Sequence, residues 1–166
     1  MLTIRERADA GARPDADLVL PFELRQKSRL LTRLSTGEEA GLQLDRGTVL
    51  RGGDRLRAED GRVVRVVAAD EALMEAACGD AACLARCAFH LGNRHTPVEV
   101  RANALRFAAD EVLAGMLRGL GASVTAVTAP FEPEAGAYAA GHHHHSGDAK
   151  HAGIIHDMIG RAARKP

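Results

Sequence analysis

The sequence predicts an α+β protein: a small all-β N-terminal domain, then a ferredoxin-like βαββαβ domain, then a disordered His-rich tail. Three observations carry that expectation. Up to residue 69, short β-prone runs alternate with turn signals; after residue 70, strand-like and helix-like segments interleave in the order βαββαβ; and past residue 138 the chain becomes small, polar and rich in histidine. The implied boundaries are 1–70, 71–138 and 139–166.

The first part reads as "LTIRE", "LVLPFEL", "RLLTRLSTG", "AGLQLDRGTVL" and "RVVRVVAA", parted by "TGEE", "RGGD" and "EDG". Gly52, Gly53 and Asp60-Gly61 supply the positive-φ residues that tight turns require. Within "ELRQKSR", the basic residues Arg25, Lys27 and Arg29 read as a solvated strand face. In the second part a strand is expected at 72–77, a helix at 80–94, strands at 97–101 and 105–108, a helix at 110–120 and a last strand in "SVTAVTA". Asp110 has the chemistry of an N-cap, and Gly121 that of the residue just past a helix end. The tail cannot bury enough apolar surface to offset its ordering entropy. Its one periodic piece, "AGIIHDMIGRAARK", sets Ile154, Ile155, Met158, Ile159 and Ala162 on one helical face, too short to hold without a packing partner.

Lys and Arg total 22 against 22 Asp and Glu, so no global field draws in nucleic acid or an anionic membrane. No apolar stretch reaches the roughly 20 residues of a membrane span, and "MLTIRERADA" lacks the apolar segment of an export signal, so a cytoplasmic location is expected. Cys78, Cys83 and Cys87 are then expected as thiols rather than disulfides. Among enzyme signatures there is no Gly-rich phosphate loop, no GxSxG elbow and no HExxH pair, so no catalytic activity is expected. "LDRGTVLRGGDRL" has glycines but no helix after them, and reads as turn chemistry.

Histidine is the residue type that points to a function. The run His142, His143, His144 and His145, followed by His151 and His156, precedes further periodic chain, which fits a native tail rather than a purification tag. Consecutive imidazoles bind Ni(II), Zn(II) and Cu(II) readily with little discrimination, as a metal loader or buffer would. They bind in the neutral form, so affinity falls as pH drops through the ordinary histidine range near about 6.5. His90 and His95 stand in "CAFHLGNRHTP" five residues apart, which puts them on different sides of an ideal helix and not in the clamp of a zinc hydrolase. On spacing alone, His95 reads more readily as a cap on the last carbonyls of a helix than as a ligand. A single histidine per chain becomes two ligands where a two-fold axis brings it onto its own copy. Cys83, Cys87 and His90, four and three apart, form a stripe beside Ala81, Leu84, Ala85 and Ala88; the trio has donors for Zn(II) or Cu(I), but such cysteines are more often small buried hydrophobes.

Several stretches in order, "LQLDRGTVLRGGDRLRAEDGRVVRVVAADE", "HLGNRHTPVEV" at 90–100, "DEVLAGMLRGLGASV" at 110–124, "APFEPEAGAY" at 129–138 and the His-rich tail, resemble the UreE family of urease accessory proteins. The resemblance spans nearly the whole chain. It implies a nickel metallochaperone, a homodimer whose N-terminal β domain resembles a chaperone peptide-binding module and whose C-terminal domain binds nickel. It implies that the histidine of the "GNRH" motif, here His95, is the nickel ligand shared across the dimer interface, with His142, His143, His144, His145, His151 and His156 as tail ligands. The implied partner is the urease GTPase UreG within a complex that loads apo-urease. Some relatives carry a further His-x-His pair at the start of the second helix; here Ala109, Asp110 and Glu111 stand there, which removes or alters that peripheral site. Two other readings are a nickel or zinc buffer acting through its tail alone, and a metal-dependent hydrolase using His90 and His95, for which no general base stands nearby in the sequence.

Overall fold

The computed structural model describes residues 1–135, of which Met1–Glu134 form one unit. Strand β1 (Leu2–Arg7) buries Leu2 and Ile4 and exposes or half-exposes the residues between and after them, a period of two that fits a sheet with one wet face. β2 (Ala16–Leu20) buries Leu18 and Leu20 in the same way. β3 (Arg29–Arg33) and β4 (Glu39–Gln43) form a hairpin in which Gly37 adopts φ +85°. β5 (Arg55–Ala58) and β6 (Val63–Ala68) form another, turned by Gly61 at φ +90°. The six strands lie in the order β2-β6-β5-β1-β4-β3, with β1/β4 and β2/β6 parallel. Their inner face, from Ile4 and Leu18 to Leu56 and Val66, is a core of its own.

Two features of this part differ from the sequence expectation. After β2 the chain does not continue as a strand: Pro21 has the φ of −67° its ring imposes and starts a single helical turn, α1 (Phe22–Arg25), with the Leu24 and Arg25 amides both donating to the Pro21 carbonyl. Arg25, expected on a solvated strand face, is fully buried there. β5 was hidden in "RLRA", whose arginines mask a strand that buries only Leu56 and Ala58.

A second sheet begins one residue after β6. It contains β7 (Asp70–Ala77), β8 (Glu99–Val100), β9 (Ala104–Ala108) and β10 (Ser123–Pro130) in the order β10-β7-β9-β8, every pairing antiparallel. α2 (Ala81–Gly92) runs between β7 and β8, and α3 (Glu111–Gly119) between β9 and β10. One face of β7 and β9, with Met74, Ala76, Leu105 and Phe107, packs with Cys83, Cys87 and Leu91 of α2 and Ala114 and Leu117 of α3. The other face carries Glu75, whose carboxylate accepts from Arg106 Nε at 2.6 Å. Along α2 the buried stripe is Cys83, Cys87 and Leu91, while Ala81 and Ala85, expected on the apolar face, are exposed. The cysteines are the core-facing residues of this helix.

The two sheets meet around α1 and the segment after β10. Arg25 sends Nε to the Leu20 carbonyl at 3.2 Å, Nη1 to Glu132 Oε1 at 2.8 Å and Nη2 to the Phe131 carbonyl. Phe131 meets Phe22 edge-on with ring centroids 5.7 Å apart, and Leu73 of β7 completes this small apolar cluster. Glu132 also accepts from the Gly52 amide at 2.7 Å; a Cβ on Gly52 would lie 2.9 Å from that carboxylate oxygen, so a larger residue there would push the Glu132 side chain aside.

Candidate functional site

α2 and α3 begin alike. Asp80 precedes α2 and its carboxylate accepts from the Cys83 amide at 2.7 Å; Asp110 precedes α3 and accepts from Val112 and Leu113 at 2.8 and 3.0 Å, as its sequence position predicts. They also end alike. In α3 the Gly121 amide donates to the Arg118 carbonyl and the Ala122 amide to Leu117, with Gly121 at φ +98°. That is a Schellman stop, whose left-handed residue is usually glycine because it lacks a Cβ. In α2 the His95 amide donates to Gly92 at 2.9 Å and the Thr96 amide to Leu91 at 3.4 Å, so the left-handed slot belongs to His95. Pro97 follows and bars any continuation of the helix.

His95 has φ +54°, the one positive-φ residue other than glycine among the described residues. It is exposed, and among the described residues its imidazole makes no hydrogen bond and no ion pair. The left-handed conformation costs an L-residue with a Cβ on the order of 1–2 kcal/mol, and strain held at an exposed residue is a pointer to function. His95 closes the helix with its backbone and leaves its side chain free, instead of capping carbonyls with the ring. His90, half-buried one turn earlier, stacks edge-on against Phe89 at 5.4 Å and does not join His95. Phe89 itself is 63% exposed, an apolar ring on the last turns of the same helix. His142, His143, His144, His145, His151 and His156 lie outside the described residues.

A second constellation is one that spacing mis-assembled. Cys83 and Cys87 do come together, but their third member is Cys78, just past the end of β7, and not His90; the three Sγ atoms lie within 4.8 Å of one another. All three side chains are buried. Burial pushes the Cys78 thiol up to about 12, with the neighbouring thiols adding to the shift, and burial also raises Cys87. The available signal was Asp80: a capped helix start there puts Cys78 in the short connection between β7 and α2, beside the first turns of the helix.

Comparison with known proteins places the chain among relatives. Residues 3–69 match the family model described as the UreE urease accessory protein N-terminal domain, and residues 71–157 its C-terminal domain. The urease accessory protein UreE of Nitrosospira multiformis is 53% identical over 148 residues, covering 89% of this chain and 84% of that protein. That of Alkalilimnicola ehrlichii is 52% identical over 138 residues, 83% of this chain and 85% of that protein. That of Burkholderia thailandensis is 57% identical over 127 residues, 76% of this chain and 60% of that protein.

Proposed function

This chain belongs to the UreE family of urease accessory proteins, and on that premise we propose that it is a nickel metallochaperone that binds Ni(II) through His95 at a homodimer interface. In this reading residues 1–70 are a partner-binding β domain, 71–138 a ferredoxin-like metal-binding domain and 139–166 a His-rich tail. The sheet order β10-β7-β9-β8, with α2 connecting β7 to β8 and α3 connecting β9 to β10, supports the ferredoxin-like assignment.

The observation that carries the proposal is the free, exposed imidazole of His95 in a slot that glycine would fill more cheaply. One such imidazole is an incomplete ligand set. Two, brought together by a two-fold axis, make a pair of nitrogen donors suited to Ni(II), and the exposed ring of Phe89 on the same helix supplies apolar surface for such an interface. The histidines at 142, 143, 144, 145, 151 and 156 gather metal and complete the coordination. A site left partly open to solvent suits transfer, because an acceptor's ligands can enter before the first ones leave. The acceptor is the urease GTPase UreG within the maturation complex, acting in the cytoplasm. Zn(II) and Cu(II) compete for the same nitrogen donors in vitro.

The test is calorimetric Ni(II) titration of the full chain, of His95→Ala and of a chain ending at Tyr138. The expected result is one tightest ion per dimer, lost in His95→Ala while weaker tail sites persist, and a lower total number of ions in the shortened chain. A His95→Ala protein that retains its tightest site would overturn the interface assignment in favour of a tail that buffers metal alone.

A further inference from the structure

The three buried thiols make up a constellation that the nickel reading does not use. Cys78 directly follows β7, Cys83 stands at the third position of α2 and Cys87 one turn further on, with their Sγ atoms within 4.8 Å of one another. Around them are Leu91, Leu105, Leu117, Ala114 and Ala122, which offer no oxygen or nitrogen donor from their side chains. We infer that Cys78, Cys83 and Cys87 form a binding site for a monovalent soft metal ion, Cu(I), distinct from the histidine site.

Geometry and donor chemistry agree on this ion. Three sulfurs around a metal at a bond length of about 2.3 Å stand about 4 Å apart, so the cluster closes onto an ion by side-chain adjustments of under about 1 Å. Soft thiolates select Cu(I), and Cu(I) is satisfied by two or three sulfurs; Zn(II) wants a fourth ligand, and no fourth His, Cys, Asp or Glu joins the group among the described residues. Ni(II) as cargo of nitrogen donors does not compete well for a dry all-sulfur pocket.

The charge also balances. Without metal the buried thiols keep their protons, which burial favours. On binding, each sulfur that becomes a thiolate releases its proton to solvent; copper stays monovalent and no sulfur is oxidised. Two thiolates and one neutral thiol around Cu(I) leave a single negative charge. It lies at the first turns of α2, whose dipole favours negative charge, and near Arg86, whose charge favours the Cys87 thiolate; both offset the Asp80 carboxylate that caps the same turn. The chain between the cysteines is at the surface: Gly79, Asp80, Ala81 and Ala82 are all exposed, and a Cβ on Gly79 would meet nothing within 4 Å.

The experiment is an anaerobic titration of the reduced full chain with Cu(I) held by a chromophoric chelator, with X-ray absorption to identify donors. Wild type is expected to take one Cu(I) per chain with sulfur donors. Cys83→Ala and Cys87→Val should each weaken that site at least 100-fold, while His95→Ala leaves it unchanged and the cysteine variants keep their full nickel stoichiometry. Because a core variant can fail to fold, the wild-type protein is also alkylated with and without one equivalent of Cu(I), and protection of the three cysteines is expected. Nitrogen-only donors in wild type, unchanged Cu(I) affinity in folded cysteine variants, or alkylation at equal rates with and without Cu(I) would each overturn the site. None of these results bears on His95, so the two sites stand or fall separately.

Discussion

At His95 a helix stop that α3 builds with Gly121 is built in α2 with a histidine, and the two positions share the same pair of backbone hydrogen bonds. The replacement His95→Gly therefore separates the side chain's role from the backbone's. It relieves the left-handed strain and is expected to raise stability by about 1 kcal/mol in urea unfolding, while removing the tightest nickel site as fully as His95→Ala does. Loss of stability on this change would mean that the ring packs against something, contrary to its exposure. Cys78 gives a second prediction at this scale. Its folded pKa, near about 12, lies above the ordinary 9.0, so the native state holds a proton that the unfolded chain releases first. The stability it contributes is complete below about pH 9 and is lost as pH rises toward 12. Unfolding midpoints at pH 8, 9 and 10 should fall in wild type and flatten in Cys78→Ala.

Among the elements, α2 has the most to do, since it carries two of the thiols on its buried face and ends at the proposed nickel ligand. Its start depends on Asp80, which satisfies the Cys83 amide at 2.7 Å. Asp80→Ala should cost about 1 kcal/mol in thermal or urea unfolding. Because that bond also holds the turn covering the cysteines, the variant should speed alkylation of Cys83, a change that a cap remote from the thiols, as in Asp110→Ala, should not produce.

For the whole described unit, the joint between the two sheets is concentrated in one side chain. Arg25 is fully buried and binds the Leu20 and Phe131 carbonyls and the Glu132 carboxylate, which Arg51 also reaches at 3.3 Å. Arg25→Met keeps the apolar stem but leaves the Phe131 carbonyl and Glu132 without their main donor. A loss of roughly 3 kcal/mol is expected, at the lower end for a broken buried pair because Glu132 is 35% exposed. Arg25→Lys should recover only part of it, since an ammonium lacks the fork that reaches several acceptors at once. Equal stability of all three proteins by urea unfolding would show that the joint does not depend on this residue.

Sequence by itself determined what local chemistry sets. The helix start at Asp110, the glycine stop at Gly121, the hairpin turn at Gly61 and the alternation in β1 follow from propensities and hydrogen bonds that span a few residues. The order of elements from β7 to β10 was legible for the same reason, while the motif around His95 pointed to that residue only through family resemblance. Only tertiary structure decided what depends on chain brought together from far apart. Arg25 and Glu132 are 107 residues apart, so nothing near "ELRQKSR" could announce that its arginine is buried, and a strand face was the natural local reading. The cysteines were misgrouped because a helical wheel sees only its own helix. His90 shares the spacing, but Cys78 arrives from β7, and the sheet below decides which side of α2 is the inside. The left-handed backbone of His95 is a tertiary outcome as well, since a sequence states which residue ends a helix but not which conformation the fold makes it hold.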